Sequence, residues 1–242
     1  MEKTLNLNLG GKDALIIADM QNDFLPGGAL AIKDSDEIIP ILNEYAKIFG
    51  AAKSKIIAAK DWHPPNHISF VTQGGPWAPH CVQNTKGAEF NPNLKLPEGT
   101  ITVLKATNPA EEAYSVFDGT GLAEQLKELS ITRIFIGGLA TDYCIVNSVL
   151  DARRLGLEAF VLLDGTRGIN VKPGDVEKAL EIMRANGAKQ VTLADLPEPE
   201  VLSGVLSSDE VVADEPLGKF DVKKKARMRP KGSYKQVRRE RG

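Results

Sequence analysis

The chain has 242 residues, of which 42% are hydrophobic and 26% are charged, and its formal net charge is −2. These values are typical of a soluble globular protein, and two cysteines are too few for a disulfide framework. The sequence shows neither an apolar run that approaches the roughly 18 residues of a membrane span nor a signal peptide. We therefore expect a cytoplasmic protein, in which Cys81 and Cys144 are free thiols.

Six short apolar runs predict strands that are buried on both faces of a sheet. In chain order they cover residues 14–18, 55–60, 101–104, 133–136, 159–163 and 190–193. Helical periodicity predicts helices over residues 36–52, 122–129, 142–155 and 175–186, and Gly156 and Gly187 end the last two. Strands that alternate with helices indicate an α/β fold of three αβα layers, in which the middle layer is a mostly parallel six-stranded sheet.

Two segments depart from this alternation. Residues 70–100 are rich in Gly, Pro, Asn and Gln, so we expect an ordered loop over the strand ends, and loops of this length are usually functional. The pattern stops after Leu196, which predicts a folded domain over residues 1–196 and a disordered tail over residues 197–242. Residues 219–242 hold eleven Lys and Arg against Asp221 and Glu240, a local charge of +9. The cationic stretch leaves two alternatives open: a solvated extension, or attachment to an anionic partner such as nucleic acid or a membrane surface.

The three histidines of the chain lie close together in sequence. They come after Asp61, which follows the second predicted strand. Asp61 and His63 are two residues apart and can converge on one cation, and His80 from the covering loop can complete the set. A carboxylate with two imidazoles suits Zn²⁺, with Fe²⁺ or Mn²⁺ as alternatives. The pattern leaves open whether His67 is a fourth ligand, a group behind the ligands or a turn residue.

Cys144 follows a glycine turn after the fourth predicted strand, in the first turn of the next helix. Free N–H groups and the helix dipole at that place favour a thiolate, which is the reactive form of a nucleophilic cysteine. Thr141 and Asp142 fit the helix start as a cap and a favourable charge. The alternative is that Cys144 is a small buried apolar residue. Cys81 lacks such a setting, and burial or weak metal ligation are its alternatives.

Asp19 and Lys105 each end an apolar strand, where an unpaired buried charge would be costly. Because the carboxyl ends of parallel strands meet at one edge of the sheet, these side chains can come together with Cys144. In that arrangement Asp19 takes the thiol proton and Lys105 keeps Asp19 ionised and oriented. Taken singly, each is equally well read as a solvent-facing charge at a strand end.

Five sequence motifs, in order, resemble the nicotinamidase branch of the isochorismatase-like cysteine hydrolases over roughly residues 12–195. The motifs are Asp19-Met-Gln-Asn-Asp-Phe24, Asp61-Trp-His-Pro-Pro-Asn-His-Ile-Ser-Phe70, His80-Cys-Val-Gln83, Ala113-Tyr-Ser115 and Gly138-Leu-Ala-Thr-Asp-Tyr-Cys144.

The resemblance implies an isochorismatase-like fold and hydrolysis of nicotinamide, and also of pyrazinamide, as a step of NAD salvage. It implies that Cys144 is the nucleophile of a triad with Asp19 and Lys105, and that a thioester forms during the reaction. It assigns one divalent metal ion to Asp61, His63 and His80, and an oxyanion hole to the amides of Ala140 and Cys144, with a cis peptide between Leu139 and Ala140. It places the aromatic walls of the substrate pocket at Phe24, Trp77 and Tyr114.

The sequence leaves two other interpretations open. One is another hydrolase of the same superfamily, which acts on isochorismate or on a ureido or carbamoyl substrate. The complete set of metal ligands, Asp61, His63 and His80, argues against this alternative, because such hydrolases do not share it. The other is a binding protein in which the basic tail recognises nucleic acid or an anionic membrane and the folded domain is a scaffold. The oligomeric state, including a homo-oligomer, is also left open.

Overall fold

The computed structural model describes residues 7–196, and in this part of the chain six strands form one parallel sheet. In chain order the strands are β1 (Asp13–Ala18), β2 (Lys55–Asp61), β3 (Ile101–Lys105), β4 (Arg133–Leu139), β5 (Glu158–Arg167) and β6 (Lys189–Val191). They lie side by side in the order β3-β2-β1-β4-β5-β6, and every neighbouring pair is parallel. The predicted α/β class and six-stranded sheet are confirmed.

Helices cover both faces of the sheet, because the central strands are apolar on both sides. Helix α1 (Ile38–Ala51) covers one face and packs in one hydrophobic cluster with Leu15 and Ile17 of β1. Three helices cover the opposite face: α2 (Leu122–Glu128), α3 (Val146–Arg154) and α4 (Asp175–Ala185). They pack against the strand side chains that point to that face, such as Ile16 of β1. Since successive strand residues point to opposite faces, the sheet has a hydrophobic core on each side. The helices, the sheet between the two cores and the helices on the other side are the predicted three layers.

The predicted elements differ from the observed ones mainly at their ends. β5 continues to Arg167, four residues past the apolar run, through an irregularity in its pairing with β4. The helix predicted over residues 142–155 begins instead as a π-helical turn, Thr141–Ile145, in which the Ile145 amide donates to the Ala140 carbonyl. Gly156 and Gly187 have φ of +82°, as expected of residues that end helices.

The long loop predicted over residues 70–100 packs on the carboxyl ends of β1 and β2. The Asn91 amide donates to the Met20 carbonyl beyond β1, and His63 exchanges backbone hydrogen bonds with Cys81 and Gln83. The loop therefore lies over the edge of the sheet where the candidate functional residues are found. Within residues 7–196, no helix combines the length and the apolar character needed to cross a membrane. The predicted tail lies outside the described residues.

Candidate active site and metal-binding group

The carboxyl ends of the four strands β1 to β4 bring the candidate functional residues together. Asp61 and Lys105 are the last residues of β2 and β3 and are register partners. Asp19 follows β1 directly in a left-handed conformation with φ of +58°, held by a hydrogen bond from its amide to the Ala59 carbonyl. Left-handed backbone in a residue other than glycine is uncommon and is often found at functional sites. Cys144 lies in the π-helical turn after β4.

Lys105 is the centre of this cluster. Its Nζ lies 3.1 Å from Asp19 Oδ2 and 3.5 Å from Cys144 Sγ, and it also pairs with Asp61 Oδ1. All four residues are buried. Asp19 and Lys105 are therefore not solvent-facing strand ends, because a buried ammonium requires the two carboxylates that surround it.

The acid and base properties of the cluster follow from its burial. Burial raises the pKa of Asp19 to about 7, although the neighbouring Lys105 acts in the opposite direction. Burial acts to lower the pKa of Lys105, but Asp19 and Asp61 outweigh it and hold that pKa well above its usual value. Lys105 therefore stays charged, whereas Asp19 changes its protonation state close to neutral pH.

Cys144 differs from the expectation of a preformed thiolate at a helix start. Burial raises the pKa of its thiol well above the usual value, and the opposing effect of Lys105 does not cancel this. A buried thiol of this kind needs a base to become nucleophilic. Asp19 is suited to that task, because its carboxylate interacts directly with the Cys144 thiol and also pairs with Lys105.

The capping role predicted for Thr141 is wrong. Its hydroxyl is within 2.8 Å of the Thr166 hydroxyl, which donates to the Gly138 carbonyl, and it makes no capping hydrogen bond. Asp142 accepts hydrogen bonds from the amides of Ile169 and Asn170. Both side chains thus tie the turn before Cys144 to the end of β5 and to the residues that follow it.

Asp61, His63 and His80 form a group whose potential metal-ligating atoms lie within 4.8 Å of one another, and all three residues are buried. The Nδ1 atoms of His63 and His80 lie 3.1 Å and 2.7 Å from the carbonyls of His80 and Ala78. Because a carbonyl only accepts, each Nδ1 carries the proton and each Nε2 keeps its lone pair for a cation. Burial lowers the pKa of His63 to about 4, so this ring is neutral, as metal ligation requires.

His67 lies beside this group and does not belong to it. Its Nδ1 accepts from the Ser69 amide at 3.2 Å, and its Nε2 lies 3.0 Å from the Glu111 carbonyl. Both ring nitrogens are thus occupied by the protein, and the ring packs on that of His63 at a centroid distance of 4.5 Å. Of the three alternatives for His67, a residue packed behind the ligands agrees best with these contacts.

Among the three predicted pocket aromatics, Phe24 contacts the metal-binding group, and Trp77 and Tyr114 contact each other. The Phe24 ring packs against His80, with 5.3 Å between the ring centroids. Trp77 Nε1 donates to the Tyr114 hydroxyl at 3.0 Å. Tyr143, which the sequence pattern did not predict as a pocket residue, joins them, since its ring lies 5.0 Å from that of Trp77 and 5.6 Å from that of Tyr114. The available signal was its position directly before the candidate nucleophile.

Two further details agree with the expectations from the sequence. The peptide between Leu139 and Ala140 is cis, as the family resemblance implies. Cys81 is fully buried, and burial raises the pKa of its thiol well above the usual value. The burial of Cys81 fits an inert thiol better than a metal ligand.

A parallel sheet covered by helices on both faces, with a buried cysteine, lysine and two carboxylates at its carboxyl edge, defines an α/β protein with a candidate cysteine nucleophile. The isochorismatase domain family matches residues 13–195, and the chain belongs to this family.

Named relatives and solved structures agree with this assignment. The nicotinamidase of Escherichia coli (strain K12) is 37% identical over 208 residues, which cover 77% of this chain and 98% of that protein. The crystal structure of pyrazinamidase of Pyrococcus horikoshii in complex with zinc has 49% identity and a TM-score of 0.72, and the match covers 75% of this chain and 99% of that chain. PnC1 from L. infantum in complex with nicotinate has 33% identity and a TM-score of 0.74, with 80% and 99% coverage.

Proposed function

We propose that the protein is a cysteine amidase that hydrolyses nicotinamide, and also pyrazinamide, to the corresponding acid and ammonia, and that it serves NAD salvage in the cytoplasm. The observation that carries the proposal is the position of Lys105, which contacts Asp19, Asp61 and Cys144 together. A nucleophile, a base and a member of the metal-binding group thus meet around one cation. The names of the relatives and the zinc and nicotinate complexes support the same substrate class.

The reaction begins when Asp19 accepts the proton of the Cys144 thiol and Sγ attacks the carboxamide carbon. The backbone amides of Ala140 and Cys144 hold the oxyanion that forms. The carbon–nitrogen bond then breaks, and the proton on Asp19 passes to the leaving nitrogen, which departs as ammonia. Water attacks the remaining thioester with Asp19 again as base, so that the acid leaves and the thiol is restored.

Asp61, His63 and His80 fit a divalent cation, because the lone pair of each imidazole Nε2 is free of the hydrogen bonds at Nδ1. We propose Zn²⁺ as this ion, with Fe²⁺ or Mn²⁺ as alternatives. When bound, the cation supplies a positive centre that orients the substrate ring through its nitrogen. Phe24, Trp77 and Tyr114 enclose that ring, and Tyr143 extends the wall.

The proposal is tested by measuring ammonia and nicotinate release from nicotinamide by the purified protein, before and after treatment with a chelator. Pyrazinamide, isochorismate, a ureido acid and a carbamoyl amino acid are compared under the same conditions. We expect turnover of the two aromatic amides and its loss on chelation, with recovery when zinc is restored. Turnover of the ureido or carbamoyl substrate alone would instead establish the alternative hydrolase.

Replacing His80 by alanine is expected to remove the bound metal and, with it, most turnover, because two ligands from one short segment hold a divalent ion poorly. Elemental analysis of protein purified without added metal measures the content directly. His67→Ala is the matched control, since His67 has a similar burial beside the group but both nitrogens occupied. An unchanged metal content in His80→Ala would remove this residue from the ligand set.

The raised pKa of Asp19 predicts the pH dependence of the reaction. The base must be ionised, and its pKa is about 7, so kcat/KM should fall as the pH drops below about 7 and level off above it. Asp19→Asn should abolish turnover across the range. A profile measured at saturating metal that stays level between about pH 5.5 and about pH 8 would be incompatible with Asp19 as the base.

Removing residues 197–242 is expected to leave nicotinamide hydrolysis nearly unchanged, because all residues of the proposed site lie between Asp19 and Cys144. We propose that this basic tail binds anionic partners without sequence preference, so that binding of a nucleic acid by the full chain falls steeply with salt and is lost on truncation. Loss of turnover in the truncated protein, or binding that survives truncation, would contradict these roles.

A further inference from the structure

Gln21 and Asp23 follow Asp19 at alternate positions, and the proposed mechanism uses neither of them. Both side chains reach across to segments that carry the metal-binding group. We propose that Gln21 and Asp23 are positioning residues, which hold the backbone of Asp61 and of the His80-Cys81 peptide and so preorganise the metal site. This inference rests on the metal-binding group of the proposed function.

Gln21 binds the backbone of Asp61 on both sides. The Asp61 amide donates to Gln21 Oε1 at 2.8 Å, and Gln21 Nε2 donates to the Asp61 carbonyl at 2.7 Å and to the Ala88 carbonyl at 3.0 Å. Gln21 is fully buried. Because Gln21 and Asp61 are buried, loss of the side-chain amide would leave backbone groups of a ligand residue unpaired.

Asp23 acts on the second segment through a single peptide group. Its Oδ2 accepts from the Cys81 amide at 2.7 Å, and the carbonyl of the same peptide, that of His80, faces His63 Nδ1 at 3.1 Å. A carboxylate on the N–H side polarises a peptide and makes its carbonyl a stronger acceptor. Asp23 therefore fixes the segment that bears His80 and also favours the neutral tautomer of His63 that carries its proton on Nδ1 and leaves the Nε2 lone pair free.

The backbone at this point needs such support, because Cys81 has φ of +47°, in the left-handed region that residues other than glycine rarely occupy. Its carbonyl in turn accepts from the His63 amide. Asp23 thus stabilises an unfavourable backbone conformation directly beside one ligand and in contact with another.

Gly87 supplies independent evidence that the place of the Asp23 carboxylate matters. A Cβ atom at Gly87 would lie 2.1 to 2.3 Å from the carboxylate atoms of Asp23 and would force them to move. Gly87 has no left-handed backbone that would require glycine on its own account. The glycine is explained by the space that Asp23 occupies, and Gly87→Ala displaces the carboxylate without removing any polar group.

The test measures zinc affinity of the full-length protein by competition with a chromophoric chelator, and the visible spectrum of the cobalt-substituted protein. The variants are Gln21→Ala, Asp23→Ala, Asp23→Asn and Gly87→Ala. Asn43→Ala is the control, because Asn43 also bridges backbone groups of the long loop, at Asn93 and Lys95, where no ligand lies. Thermal unfolding of each metal-free variant measures the purely structural effect.

We expect Gln21→Ala, Asp23→Ala and Gly87→Ala to bind zinc about 10- to 100-fold more weakly than the wild type, with an altered cobalt spectrum. Asp23→Asn, which keeps an acceptor but not the charge, should lie between, and Asn43→Ala should match the wild type. If Asp23→Ala does not fold, Asp23→Asn and Gly87→Ala decide the question. Wild-type affinity in these folded variants overturns this inference but leaves the metal-binding group intact. A wild-type protein that binds none of zinc, iron and manganese overturns the metal-binding group itself.

Discussion

Replacing Cys144 by alanine is expected to lower nicotinamide turnover by at least about 10⁴-fold while the protein stays folded, because removal of a triad nucleophile can cost on the order of 10⁶-fold. The fold should tolerate the change, since alanine fills most of the buried volume of the side chain. Ammonia release under saturating substrate measures the loss, and circular dichroism with thermal unfolding checks the fold.

Cys81→Ala is the matched control for this experiment. Cys81 is also buried, and burial also raises the pKa of its thiol, but it does not contact Lys105 within the described hydrogen bonds and ion pairs. It should retain most of the activity. Two variants with equal activity, or an inactive Cys81→Ala beside an active Cys144→Ala, would show that the nucleophile has been assigned to the wrong cysteine.

Lys105→Met is expected to have the second largest effect, on stability as well as on activity. Methionine matches the length of the side chain but leaves Asp19 and Asp61 buried without their cation. Removing one partner of a buried ion pair costs about 3–5 kcal/mol, and Asp19 without Lys105 would be protonated and unable to act as base. Urea unfolding measures the stability, and ammonia release should fall by about 10³-fold or more.

Lys47→Met controls for the general effect of losing a lysine. Lys47 pairs with Glu44 on the exposed side of α1, where such a pair contributes at most about 1 kcal/mol. Its loss should barely change the unfolding midpoint. A Lys105→Met protein as stable as Lys47→Met would mean that the buried carboxylates are compensated by a group other than Lys105.

The fold and the centre of the site could be predicted from the sequence for the same physical reason. Asp19 and Lys105 are charges at the ends of apolar strands, and a parallel sheet gathers such ends at one edge. The observed ion pair of 3.1 Å between them confirms that the two charges meet. The buried cysteine after β4 completes the set, although the expectation of a preformed thiolate did not anticipate how strongly burial favours the thiol.

The remaining features depend on contacts that periodicity and spacing do not encode. The Thr141 hydroxyl pairs with Thr166 from a strand 25 residues away, so a local capping pattern was misleading. The sequence could not predict the role of Tyr143, because its contacts are with Trp77 and Tyr114, which lie in distant segments of the chain. Gln21 lies in the motif Asp19-Met-Gln-Asn-Asp-Phe24, but its hydrogen-bond partner Asp61 is 40 residues further along the chain. Local sequence therefore could not predict this contact.

The separation of the proposed nucleophile Cys144 from its proposed base Asp19 also depends on the absence of a side chain at Gly138. Gly138 has φ of +109°, and a Cβ atom there would lie 2.0 Å from the Ala18 carbonyl oxygen, at the point where β4 passes the end of β1. Any side chain at this position would push apart β1 and β4, the two strands that precede Asp19 and Cys144. Gly138 should therefore tolerate substitution as poorly as Asp19 and Cys144, although glycine contributes no functional group. A search for inactivating variants that considered only functional groups would overlook it.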